Sequence, residues 1–350
     1  MSHQPIDHPG AWKGADFRSK DAFAFDLERR HIVALDDAIS LAYKRGGWKN
    51  LTRDDVPLAS IAEDLARWRH EVADGRGLLL LRGLPVERWS VSETEAAYWA
   101  LGLHLGHAVS QSPLGDRLGR VEDVSRPDIE ERGYKSRKEL SPHTDSDDIV
   151  GLLCIRQAKS GGFSLLVSAM TLWNEILARR PDFLPALERG FHYHWFGEEP
   201  PGEPEITAYR VPVFGWEEGK LSVCYLREFM DWAAKDPRYA YEGDDQPALD
   251  LFQSLCDDPD IRLLFRYEPG ELVLFNNYTT LHARTAYEDE TDPAKKRLLL
   301  RLWLQADPPR PIHRNLRRYY GKDGIVIQPG RTATYYQGKA QHETAAAPAK

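Results

Sequence analysis

The chain has 350 residues, 42% of them apolar, a formal net charge of −8, and no concentration of lysine and arginine into a stripe. That length and apolar content support one large domain or two ordinary ones with a substantial core, while the missing basic patch argues against nucleic acid as a partner. No apolar run approaches the roughly 18 residues of a membrane span.

The first 20 residues are polar and lack the apolar stretch of a signal peptide. Cys154, Cys224 and Cys256 are widely spaced and odd in number, so neither a disulfide framework nor a zinc ribbon is expected. Cys154 and Cys224 sit in apolar runs and read as small core residues. The expected compartment is the reducing cytoplasm.

Residues 1–30 read as an irregular segment wrapped on the surface. Apolar residues at helical spacing, such as Ile61, Leu65 and Trp68, predict helices over 33–44 and 58–71. The glycine-bounded run Leu78-Leu79-Leu80-Leu81 predicts a buried strand. A helix follows over 92–103, with Ser92 as its N-cap, Glu95 completing a capping box, and Glu93 favouring the positive end of the dipole. From residue 120 the pattern changes to short strands over 120–124, 149–157, 163–168, 191–196, 209–216, 220–225, 263–267, 271–276 and 297–304. Turns at Gly161-Gly162, Glu217-Glu218-Gly219 and Pro269-Gly270 separate some of them. Helices are expected over 172–179 and 246–256. The chain from about 337 onward is rich in Ala and Gln and reads as a frayed tail. No internal repeat or linker is evident. The expected organisation is an N-terminal segment 1–30, a single domain 31–320 and a tail 321–350. The fold class is mainly β with surrounding helices, built as a sandwich or barrel.

The chemistry concentrates at His143-Thr144-Asp145 and, far downstream, His282. On extended backbone, residues two apart share a side. An imidazole, a carboxylate and a second imidazole from another strand can close one face of an octahedral metal, the preferred cradle of non-haem Fe(II). A surface turn would have the same composition as the tripeptide, and His104, His107, His192 and His194 compete for the third position. Two arginines, Arg297 and Arg301, stand four apart on an almost wholly apolar strand and so share a face. Buried guanidinia require anionic partners. The pair therefore points either to anionic ligands in a cavity or to the alternatives of internal acids or an edge strand with its arginines in solvent, and composition weighs the two readings equally.

Four features occur in order: Ser141-Pro142-His143-Thr144-Asp145, then Gly161-Gly162-Phe163-Ser164-Leu165, then Asn277 five residues before His282, then Arg297-x-x-x-Arg301. In this the chain resembles the taurine dioxygenase-like, clavaminate synthase-like family of Fe(II)/2-oxoglutarate-dependent oxygenases, from about Gly77 to Leu304. The resemblance implies a double-stranded β-helix, or jelly roll. It implies Fe(II) held by His143, Asp145 and His282, with 2-oxoglutarate and O2 as co-substrates. It places Arg297 and Ser164 on the far carboxylate of 2-oxoglutarate and Arg301 on an acidic group of the prime substrate. His107, Asn277 and Tyr134 are further substrate-contact candidates, and Tyr134, Lys135 and Arg137 form a basic segment that could close as a lid. The implied reaction oxidises an unactivated C–H of a small anionic metabolite while 2-oxoglutarate becomes succinate and CO2. Halogenating relatives replace the carboxylate with a small residue, so Asp145 argues for hydroxylation, desaturation or ring chemistry. A homo-oligomer would be in keeping with the family. The competing readings are a cupin-like metalloenzyme that uses no oxo-acid and a non-catalytic small-molecule-binding sandwich.

Overall fold

A computed structural model of the chain describes residues 3–56, 58–124, 133–316 and 323–330. Its strands are β1 (Ala24–Asp26), β2 (Leu78–Arg82), β3 (His107–Ala108), β4 (Leu118–Val121), β5 (Leu140–His143), β6 (Ile149–Arg156), β7 (Ser160–Gly161), β8 (Ser164–Ser168), β9 (Phe214–Glu217), β10 (Lys220–Val223), β11 (Leu263–Phe265), β12 (Leu272–Asn276), β13 (Thr280–Arg284), β14 (Tyr287–Glu288) and β15 (Leu298–Gln305). Its α-helices are α1 (Arg29–Lys44), α2 (Ala62–Ala73), α3 (Val91–Leu105), α4 (Ala169–Arg179), α5 (Leu184–Arg189), α6 (Arg227–Ala233) and α7 (Asp245–Asp257).

Among the described residues the core is a jelly roll of two facing sheets. The larger runs β1-β2-β12-β6-β15-β3, with β4 also paired to β15, and the smaller runs β11-β8-β13-β5. Strand alternation divides the larger sheet between two cores. Leu298, Leu300, Leu302 and Leu304 of β15 join Leu79, Leu81, Leu272 and Leu274 beneath α1, α2 and α3. Leu299 and Trp303 turn the other way and meet Val150, Val273, Phe275 and Leu166 between the sheets. Burial on both faces explains why these strands read as continuous apolar runs. Val167 and Leu281, partners in the β8–β13 register, present the far face of the smaller sheet to a second helical layer containing Trp173, Leu249 and Phe252. The fold thereby gives the smaller sheet one face for helices and one for chemistry.

The predicted helices all form, with shifted ends. The N-cap of α3 is Ser90, not Ser92: its hydroxyl accepts from the Glu93 amide at 3.2 Å, and Glu93 returns a bond to the Ser90 amide at 2.7 Å. Both serines fit the capping pattern, but Glu95 is taken by Arg120, whose Nε donates to it at 2.8 Å. The irregular N-terminal segment contains β1, which pairs in parallel with β2. The strand expected over 191–196 is reduced to isolated bridges, Phe191 with Val211 and His194 with Ile206. Phe196 at φ 51° and Gly197 at φ 82° break the extended run there. Of the strand expected over 209–216, only 214–216 is regular, at the start of β9. All three cysteines are buried and free. No helix among the described residues is long and apolar enough to cross a membrane. Most of the expected tail, 331–350, lies outside the described residues.

Candidate active site

His282 sits mid-strand on β13, and its Cα partner across the antiparallel pairing with β5 is His143. Directly opposed residues bring their side chains together, and the two imidazole centroids are 4.2 Å apart. β5 ends at His143, and the chain passes through Thr144, which is turned away and locked to Tyr225. The Thr144 amide donates to the Tyr225 carbonyl at 2.9 Å, and the Tyr225 amide donates to Thr144 Oγ1 at 3.0 Å. The next residue, Asp145, returns to the side of His143. One donor atom from each of His143, Asp145 and His282 lies within 4.8 Å of the others, the single such cluster among the described residues.

The electrostatics suit a cation. Burial, followed by the neighbouring His282, pushes the His143 imidazole down to about 3, so it stays neutral and able to ligate. Burial alone would raise the Asp145 carboxyl, but Arg301, His282 and His143 outweigh it and hold Asp145 well below the usual carboxylate range. His143 Nδ1 bonds the Ser141 carbonyl at 2.8 Å, which fixes the ring and leaves Nε2 for a metal. Asp145 Oδ2 accepts from Trp303 Nε1 at 2.7 Å and from Arg301 Nη1 at 3.3 Å. Two imidazoles and an ionised, oriented carboxylate on one side of a cleft are the donor set of an Fe(II) facial triad. The cleft has a volume of about 760 Å3.

Residues 46–303 match the family model described as "Taurine catabolism dioxygenase TauD, TfdA family". The chain belongs to the TauD/TfdA dioxygenase family. It is 33% identical over 321 residues to FR-33289 synthase of Streptomyces rubellomurinus, covering 89% of this chain and 94% of that protein. A solved asparagine oxygenase, in complex with Fe(II), 2S,3S-3-hydroxyasparagine and succinate, shares the fold at a TM-score of 0.64 and 20% identity, covering 87% of this chain and 99% of that one. The non-heme iron oxygenase OrfP, in complex with Fe and alpha-ketoglutaric acid, superposes at a TM-score of 0.60 and 14% identity, covering 80% of this chain and 93% of that one. This TauD/TfdA protein is an Fe(II)/2-oxoglutarate-dependent dioxygenase, which sets aside the cupin-like and non-catalytic readings. His143, Asp145 and His282 form its metal site. Iron held there supplies the oxidation of a C–H bond as 2-oxoglutarate is converted to succinate and CO2.

Around the triad of this oxygenase, the other expected residues divide. Arg297, Ser164 and Arg301 line the cleft. Arg297 is 2% exposed, and its Nε donates to Gln157 Oε1 at 3.3 Å. Burial holds its guanidinium below the ordinary arginine range. Arg301 is already engaged: besides Asp145, its Nε donates to Gln111 Oε1 at 2.7 Å. Both partner classes expected for the arginine pair are therefore present, a cavity for one and an internal acid for the other. His107 is outside the cleft lining; it is exposed on β3, with Nε2 at 3.4 Å from Asp323. The side chain of Tyr134 lies outside the described residues. The competing histidines have other partners: His192 Nδ1 bonds the Thr207 carbonyl, His194 Nδ1 accepts from the Phe196 amide, and His104 Nε2 bonds the Val56 carbonyl.

Asn277 clamps the metal loop and is not part of the cleft wall. Its Oδ1 accepts from the Asp145 amide at 2.8 Å, its Nδ2 donates to the Asp147 carbonyl at 2.8 Å, and its amide donates to the Asp148 carbonyl at 2.9 Å. Asn277→Ala removes the side-chain partner of the buried Asp145 amide and of the Asp147 carbonyl. The expected cost is about 1–3 kcal/mol of stability and a ~10–100-fold loss of iron affinity, the usual penalty for removing support behind a ligand. Thermal unfolding and an anaerobic iron titration measure the two; an unchanged iron affinity would count against the clamp. Trp303, Gln111 and Thr144 were invisible as site residues in the sequence, because each acts through the register of distant strands. The i, i+2 spacing of Arg301 and Trp303 on β15 was the one available signal.

Proposed function

We propose that this oxygenase hydroxylates an unactivated C–H of a small anionic metabolite, with the far carboxylate of 2-oxoglutarate seated by Arg297 and Ser164. The carrying observation is the cleft. Its volume suits a small molecule beside a co-substrate. Its inner wall combines the metal triad with the buried Arg297 and with Ser164. Retention of Asp145 supports hydroxylation over halogenation, since the carboxylate occupies the position a halide would need.

The mouth supports an anionic substrate. There α6 and the residues after it contribute the cations Arg227 and Lys235, the acids Glu228 and Asp231, and Trp232. Arg227 is tied to Asp231 at 2.8 Å and Asp250 at 2.9 Å. The exposed Lys235 also lines the cleft, with its ammonium 3.3 Å from the centroid of the Trp232 indole. A carboxylate, sulfonate or phosphate group on the substrate would meet Lys235 on entry. The solved neighbour contains a hydroxylated amino acid, so amino acids belong in the first substrate panel. The test is succinate formation and O2 uptake by the iron-loaded protein with 2-oxoglutarate, across amino acids and small carboxylates, sulfonates and phosphates. Stimulation by anionic members, lost in Lys235→Ala through a raised KM, is the expected result. Stimulation confined to neutral or cationic compounds overturns the substrate class.

A further inference from the structure

Arg284 has no part in the reading so far, yet it lines the same cleft as the metal cluster. It is two residues beyond His282 on β13 and so shares its face. Its Cα partner across the pairing with β8 is Ser164. Arg284 is 5% exposed and lines the cleft together with Arg297. Its Nη2 donates to the carbonyls of Ser136 and Lys138. Its Nε and Nη1 are buried with no hydrogen-bond partner among the described residues, and the same holds for Arg297 Nη1. Both guanidinia lie beside the Tyr287 ring, at 4.9 Å and 5.0 Å from its centroid. Asp123 acts on Arg284 electrostatically, and Asp289 accepts from the Arg297 amide through Oδ1 at 2.7 Å while its Oδ2 is buried without a hydrogen-bond partner, so neither carboxylate is hydrogen-bonded to the free Nε and Nη1 of Arg284 or to Arg297 Nη1. Two buried guanidinia with donors to spare, and no carboxylate bound between them, repel each other until an anion arrives.

We propose that Arg284 is a second guanidinium in the seat of the co-substrate's far carboxylate, acting beside Arg297 and opposite Ser164. This rests on the reading that Arg297 and Ser164 seat 2-oxoglutarate. The spacing supports it. Two residues along a strand cover roughly 6.6 Å, comparable to the reach of a five-carbon diacid whose 1-carboxylate and 2-oxo group sit at the metal beside His282. A fork on each side of one carboxylate makes the site selective for a diacid. A 2-oxo monoacid of equal length leaves both arginines uncompensated.

The experiment is anaerobic calorimetry on the iron-loaded full chain with 2-oxoglutarate and with 2-oxovalerate, which has the same carbon chain and no far carboxylate. Arg284→Gln is expected to weaken 2-oxoglutarate by about tenfold or more, as for a lost charge-assisted bond, while 2-oxovalerate binding stays unchanged. Arg284→Lys, which keeps the charge and removes the fork, is expected to fall between wild type and Arg284→Gln. It decides the matter if Arg284→Gln does not fold. Equal weakening of both acids would mean that Arg284 only braces Ser136 and Lys138, and overturns the proposal, as does undiminished 2-oxoglutarate binding in both variants. Wild-type protein that binds no 2-oxoglutarate overturns the underlying seat and this inference with it.

Discussion

Asp145→Ala is expected to abolish both iron binding and 2-oxoglutarate turnover. Asp145 is the one carboxylate in the donor cluster, and without it two imidazoles remain, which is no longer a facial triad. The loss should exceed the ~10–100-fold that follows removal of a residue merely supporting a ligand. The same change carries a structural cost, because Asp145 Oδ2 is the acceptor for Trp303 Nε1 and the ionic partner of Arg301. Breaking a buried pair by removing one member costs about 3–5 kcal/mol, so the unfolding midpoint should fall as well. Asp145→Asn separates the two effects. It keeps an acceptor for Trp303 and removes the charge the metal needs. It is therefore expected to lie closer to wild type in stability than Asp145→Ala and still fail to retain iron. Iron content after anaerobic reconstitution, succinate formation and thermal unfolding of both variants provide the measurement. Wild-type turnover in either variant would remove Asp145 from the metal site.

The parts of this site that were legible in the sequence are those encoded by spacing along one strand. The His143, Asp145 pair and the Arg297, Arg301 pair are alternation patterns, and alternation survives whatever the strand is paired with. The strands that carry the metal histidines were harder to see. β5 is Leu140-Ser141-Pro142-His143 and β13 is Thr280-Leu281-His282-Ala283-Arg284. Both are short, and each has too few β-branched or aromatic residues to announce a strand. They form because their neighbours in the smaller sheet provide the ladder. Relationships across strands were not legible at all. The Asn277 bonds to the 145–148 loop, the Trp303 bond to Asp145 and the alignment of Arg284 with Ser164 all depend on register. A one-residue slip would undo each of them. The overread strand at 191–196 shows the opposite error: aromatic content was there, but its backbone turns left-handed at Phe196.

Arg301 is where the family expectation and the geometry part, and Arg301→Gln should decide between them. If Arg301 anchors an acidic group of the prime substrate, its loss raises the KM for that substrate and leaves metal binding alone. The geometry favours another outcome. Arg301 Nη1 is 3.3 Å from Asp145 Oδ2, Gln111 steadies its Nε, and Gln111 is itself fixed by donating to the Arg117 and Arg301 carbonyls at 2.8 Å and 2.9 Å. Against the upward push of burial, Arg301 is the leading influence that holds the Asp145 carboxyl low. Removing it lets that carboxyl rise toward its ordinary range. Since only the deprotonated carboxylate ligates, protons then compete with iron at a higher pH. The expected result is a ~10–100-fold weaker iron affinity at neutral pH, with the acid limb of the binding curve displaced to higher pH. Gln111→Ala, which loosens Arg301 without removing its charge, should shift the curve in the same direction by less. Anaerobic iron titrations from mildly acidic to neutral pH measure both variants. An unshifted curve together with a raised substrate KM would return Arg301 to the substrate. A shifted curve assigns its charge to Asp145 and leaves anion recognition to the rim cations and the buried arginines deeper in the cleft.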